Sequence, residues 1–190
     1  MTGHTHQTYN CVVDGRPVAL GLHAVGDSVC TTNPTFGRGL GIVLRTVADL
    51  ADALRAAPDD PWAQALAVDR AVAEHVEPWY ADQAVTDAAR LAVLRHVVLG
   101  EPAPAPPPPP VDRVTFGELR LAAQTDPVAF RAVLRSMGAV GRPTDIYEDP
   151  ALVARVRRVL GHEVPRVPQP TRAELEAALG RAAAPAGWRS

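Results

Sequence analysis

Arg16-Pro17-Val18-Ala19-Leu20-Gly21-Leu22-His23-Ala24-Val25-Gly26-Asp27 is the stretch on which the fold class turns. A continuous apolar run bounded by Gly and Asp predicts a buried strand of a parallel sheet. Ser28 to Gly41 follows as a loop, with Asn33-Pro34 and glycines at 37, 39 and 41. Apolar residues then recur at Leu40, Val43, Leu44, Val47, Ala51 and Leu54, a helical spacing that a period-2 strand fits poorly. Strand, glycine-rich loop and helix together make half of a nucleotide-binding arrangement.

Beyond Asp60 the chain predicts helices. Asp60-Pro61, Asp126-Pro127 and Asp149-Pro150 each place an N-cap acid before a proline suited to the first helical position. Thr115-x-x-Glu118 and Thr171-x-x-Glu174 are capping boxes. Gly100, Gly138 and Gly161 sit where helices stop. The expected helices cover 61–77, 82–99, 115–124, 127–137, 150–160 and 172–183. Pro102 to Pro110 is restricted to polyproline II or a related extended form, and reads as a stiff spacer. The fold class is therefore mainly α, with one or two N-terminal strands. Three regions are expected: 1–100, a Pro-rich linker over 101–112, and a helical C-terminal region over 113–190.

Composition narrows the function. Hydrophobic residues make up 47% of the 190 and charged ones 21%, enough apolar content for a real core. A net charge of -2 argues against a nucleic-acid partner held by a broad basic field. The longest apolar run, Pro17 to Gly26, falls short of the about 20 residues of a membrane span. The polar opening Met1 to Asn10 has no signal-peptide core, so the cytoplasm is the expected compartment. Cys11 and Cys30 form neither a disulfide framework nor a metal-spaced pair, and His4 and His6 lie at an N-terminus expected to fray.

The chemistry concentrates in Gly26 to Gly41. A carboxylate at the C-terminal end of a strand, Asp27, can accept hydrogen bonds from the hydroxyls of a sugar or polyol. Gly26 lets a ligand approach the backbone without a Cβ clash. Gly37, Gly39 and Gly41 open a helix whose free N–H groups and positive dipole end suit an electron-rich ligand edge.

Gly26-Asp27-Ser28, Asn33-Pro34-Thr35, Gly37-Arg38-Gly39-Leu40 and Asp49-Leu50-Ala51-Asp52-Ala53-Leu54 occur in that order. Together they resemble the second FAD-binding motif of the aromatic-hydroxylase-like flavoproteins, which include flavin monooxygenases and halogenases. The resemblance covers about 30 of the 190 residues. Glu77-Pro78-Trp79-Tyr80-x-Asp82 is more weakly similar to the helical tail of bacterial FAD-dependent oxidoreductases. The resemblance implies FAD as cofactor, with Asp27 holding its ribityl or pyrophosphate side and Gly26 clearing the approach. Pro34 would shape the loop beside the isoalloxazine ring, and Gly37 belongs to the cofactor-binding set with it. The backbone at Gly39, Leu40 and Gly41 would face the flavin N1–C2=O edge. It implies no side-chain nucleophile.

Two departures matter. Some hydroxylases of the group carry His where Cys30 stands and Asn where Gly41 stands. The family's N-terminal Gly-x-Gly-x-x-Gly unit is not found in the chain, and the 25 residues before Gly26 are fewer than the about 30 of a βαβ unit. The expectation is a C-terminal fragment or subunit of an FAD-dependent oxidoreductase, monooxygenase-like, acting on a small-molecule substrate. Its partner would be a missing N-terminal half or a second subunit. The alternative is a non-enzymatic helical protein-interaction module. His23 is expected to pack rather than react. Arg155, Arg157 and Arg158 are expected on a solvated helix face.

Overall fold

The computed structural model describes residues 7–8, 11–103, 105, 110–162 and 171–182. The protein is mainly helical, with four strands of two residues each among the described residues: β1 (Gln7–Thr8), β2 (Val12–Val13), β3 (Arg16–Pro17) and β4 (Cys30–Thr31). β1 pairs antiparallel with β4, and β2 with β3.

The buried parallel strand expected over 16–27 is thus corrected. Asp14 and Gly15 both take positive φ, 48° and 72°. Two such residues between paired strands form a tight hairpin turn, which sends the chain back along Val12–Val13. Pro17 has no N–H to lengthen the ladder. Val18 N donates to Cys11 O at 2.9 Å and ends the hairpin, and Gly21, at φ 75°, bends the chain away. With no sheet to join, the apolar run stays outside: Val18, Leu20 and Leu22 are exposed, Val18 at 70%.

The helices are α1 (Gly39–Ala56), α2 (Pro61–His75), α3 (Glu77–Leu99), α4 (Phe116–Ala122), α5 (Pro127–Met137), α6 (Pro143–Tyr147), α7 (Pro150–Leu160) and α8 (Arg172–Ala182). The capping chemistry forms as read. Asp60 accepts from Ala63 N (2.9 Å), Asp126 from Val128 N (2.8 Å) and Ala129 N (2.9 Å), and Asp149 from Ala151 N (2.9 Å). Thr115 with Glu118, and Thr171 with Glu174, close reciprocal boxes. Two expectations are corrected. Glu77-Pro78-Trp79-Tyr80 opens α3 instead of ending α2, and the five-residue α6 was not foreseen.

The main core joins Trp79 of α3 to Leu119, Ala129, Val133, Ile146, Tyr147 and Val156 of the helices after the Pro-rich stretch. Residues on both sides of that stretch therefore share one interior. Val29, Cys30, Ile42 and Val76 form a smaller cluster under the N-terminal segment.

α1 presents an unexpected face. Its buried residues are Ile42, Thr46 and Ala53. Of the apolar stripe from which the helix was read, Leu40, Leu44, Val47 and Leu54 are exposed, while Val43 and Ala51 are half-buried. The second half of α3 is similarly bare, with Leu91, Val93, Leu94, Val97, Val98 and Leu99 exposed. No helix among the described residues is long and apolar enough to cross a membrane.

Candidate functional site

Gly26, Asp27 and Ser28 form one 3₁₀ turn seated on α1. Gly26 N donates to Thr46 Oγ1 at 3.0 Å, and Thr46 Oγ1 itself donates to the backbone of its own helix. Gly26 has φ 60°, and a Cβ there would lie 2.8 Å from Val43 Cγ2. Both the backbone conformation and the close approach to α1 require glycine at this position. Val43 and Thr46 lie in the second turn of α1, so the Gly-Asp turn meets the helix past its first residues.

Asp27 points its chemistry outward. It is exposed, and its carboxylate makes no hydrogen bond or ion pair among the described residues. The N-terminus of α1 is equally unsatisfied: its N-cap, Arg38, supplies no side-chain hydrogen bond. The first-turn N–H groups of a helix have no partner within the helix, so those of Gly39, Leu40 and Gly41 remain available. A Cβ on Gly39 would meet nothing within 4 Å. Leu40 is exposed at 69%.

The intervening loop is tied to α3. Pro34 opens a 3₁₀ turn whose cap is Asn33, accepting from Thr35 N at 3.0 Å. Asn33 Nδ2 donates to Asp87 Oδ1 (2.9 Å), and Gln83 Nε2 donates to Asn33 O (2.8 Å). Gly37 closes the turn at φ 67°. Gly41 serves another contact: a methyl there would overlap the Gly138 carbonyl oxygen and sit 2.6 Å from its carbon. The missing side chain at 41 is thus accounted for by the crossing of α1 with the end of α5.

An open carboxylate and an uncapped helix N-terminus suit a polyol-bearing cofactor with an electron-rich edge, as FAD is, whereas Gly26, expected to clear a ligand's approach, is buried and gives its open side to Val43 of α1. Those residues fit the group. Around them, nucleophilic chemistry is suppressed. Burial pushes the Cys30 thiol up to about 11, and the nearby Asp27 charge adds to the effect. In native protein at pH 8 we expect iodoacetamide to leave Cys30 unmodified and to label the partly exposed Cys11, with peptide mass mapping as the check. A thiol whose pKa is raised by folding favours the native state fully below its ordinary value of 9.0. That contribution disappears as pH rises from there through about 11.

Sequence reading missed the residue that organises the site from below. Arg38 is buried at 1% exposure. Its guanidinium lies between the Phe36 and Trp79 rings, 4.9 and 4.7 Å from their centroids. Nη2 donates to Asp82 Oδ2 (2.8 Å) and Tyr147 Oη (3.2 Å), while Nε donates to Ser136 O (3.3 Å). Burial, the largest influence, raises the Tyr147 pKa and keeps its hydroxyl protonated to share a hydrogen bond with Ser136 Oγ. These partners lie 44, 98 and 109 residues along the chain, so no local spacing announces them. The network is enclosed, and it fixes the loop and the start of α1 rather than facing a ligand.

Other singled-out residues have structural places. His23 Nε2 is buried without a hydrogen-bond partner beside a small cavity that Cys11 and Asp69 also line. His75 pairs with Asp49 at 3.0 Å. His96 Nδ1 lies 2.6 Å from Glu101 O. His4 and His6 lie outside the described residues, and no group of three His, Cys, Asp or Glu that could hold a metal occurs among the described ones.

No protein-family model matches the chain, and neither a curated protein nor a solved structure matches it.

Proposed function

We propose that this chain is the C-terminal part, or a companion subunit, of a monooxygenase-like FAD-dependent oxidoreductase. The observation that carries the reading is the seating of the Gly26–Ser28 turn on α1, with the Asp27 carboxylate free and the helix N-terminus uncapped. The flavin, when bound, supplies the electron transfer. Asp27 would hold the polyol side of the cofactor, and Gly26 seats its turn on α1. The N–H groups of Gly39, Leu40 and Gly41 would steady the edge that becomes negative on reduction, by hydrogen bonding and helix dipole. Pro34 and Gly37 keep the intervening loop folded back on α3. Leu40, Leu44 and Val47, together with Val18, Leu20 and Leu22, offer an apolar surface for the dinucleotide-binding portion that this chain does not itself supply.

A titration tests the reading. The adenine-gripping unit is not part of this chain, so FMN and FAD are expected to bind with affinities within about threefold of each other. Asp27→Ala is expected to weaken both at least tenfold, or about 1.4 kcal/mol. Flavin fluorescence quenching follows both. No saturable quenching by either flavin up to about 1 mM, a free energy near 4 kcal/mol, overturns the proposal. The bare half of α3 then makes a helical interaction module the better reading.

A further inference from the structure

The N-terminal hairpin packs on α2. Between α2 and the N-terminal segment lies a cavity of about 20 Å³. Cys11 leads into the hairpin, His23 follows it, and Asp69 stands midway along α2; all three line the cavity. The rest of the wall is apolar, with Val29 and Ala65 buried.

The three polar side chains share one condition. His23 Nε2 is buried without a hydrogen-bond partner. The Cys11 thiol and the Asp69 carboxylate make no hydrogen bond or ion pair among the described residues. Folded proteins pair nearly all of their buried polar atoms, so a bare imidazole nitrogen calls for an occupant beside it. The volume decides which. An internal water needs about 10–15 Å³ and two to four polar partners, and this cavity offers room for one and three partners. An organic ligand is too large. A metal ion would be small enough, but among the described residues no three His, Cys, Asp or Glu come together as a ligand set.

We infer that the cavity is a binding site for a single water, which ties the N-terminal segment to α2. Its donors and acceptors balance. The Cys11 S–H donates to the water oxygen, and the water's two O–H groups donate to His23 Nε2 and to the Asp69 carboxylate. Three hydrogen bonds are the usual complement of an internal water. The neutral imidazole then carries its proton on Nδ1. The site also reaches the Gly26–Ser28 turn. Ala24 and Val29 flank that turn on either side and line the cavity, so the water fastens the base of the turn against α2. This site is independent of the flavin reading.

Magnetic relaxation dispersion of the water oxygen, measured on the full chain, counts internal waters that outlast molecular tumbling. His23→Phe removes the nitrogen and fills the cavity, and the count should fall by one per molecule. Asp69→Leu removes an acceptor from the opposite wall without a larger ring, and the same loss of one is expected. The amide spectrum of each variant shows whether it is folded. An unchanged count in either folded variant overturns the inference. So does a count that falls when the wild-type protein is treated with EDTA, because the occupant is then a metal ion with its own water.

Discussion

Arg38→Ala should lower the stability of the protein by about 3–5 kcal/mol, the range for breaking a buried ion pair from one side. The change leaves Asp82 with only the more distant Arg113, 3.9 Å away and half exposed, and strips acceptors at Ser136 and Tyr147 of their donor. It also opens a gap between the Phe36 and Trp79 rings, which now lie on either side of a guanidinium. For a chain of this size that loss corresponds to a fall in Tm of roughly 6–20 °C. Arg38→Met keeps much of the volume and should cost less than alanine. Adding Asp82→Asn to Arg38→Met should recover part of the loss, because the orphaned carboxylate is then gone. Thermal unfolding of the three proteins checks the series. A fall below about 1 kcal/mol in Arg38→Ala would mean that the guanidinium is not buried between the two rings.

Gly41→Ala is expected to reach or exceed the about 3 kcal/mol upper end of ordinary overpacking. The added methyl meets backbone, the Gly138 carbonyl, which cannot rotate aside as a side-chain tip can. α1 must then part from the end of α5, which also pulls Arg38 away from Ser136. The matched control lies two residues earlier. Gly39→Ala meets open space and should change stability by no more than about 1 kcal/mol, with a gain as the sign expected from helix propensity. Denaturant unfolding of the pair separates the two glycines. Equal midpoints would remove the helix crossing from the fold.

The helices after Asp60 were legible because each announces itself locally: an Asp-Pro or a Thr-x-x-Glu fixes a start within four residues, and packing only has to accept it. α6 was not legible, since five residues are too few to display a period. The apolar run over 16–27 misled for the opposite reason. Strand character is realised only against a neighbouring strand, and Asp14-Gly15 turned Arg16–Pro17 into the return arm of a hairpin. α1 was read correctly as a helix from a stripe that its own fold leaves largely uncovered, because periodicity reports amphipathicity and not which face finds a partner. In the candidate site, Gly26 and Asp27 were found by local pattern, and the turn does lie on α1. The pattern also included Gly41, whose glycine is required by α5 nearly a hundred residues later. Arg38 stood in the middle of the motif as its variable position. Its partners are on α3, α5 and α6, a relation that exists only in three dimensions.

The seat of Arg38 also sets a schedule for synthesis. Tyr147 follows Arg38 by 109 residues, an interval of roughly 5–20 s at ordinary translation rates. For that time the nascent chain carries a cation that lacks its Ser136 and Tyr147 partners and a Gly41 with no helix to cross. Its outward leucines are bare as well. The first hundred residues therefore keep this seat unfinished until α5 and α6 emerge.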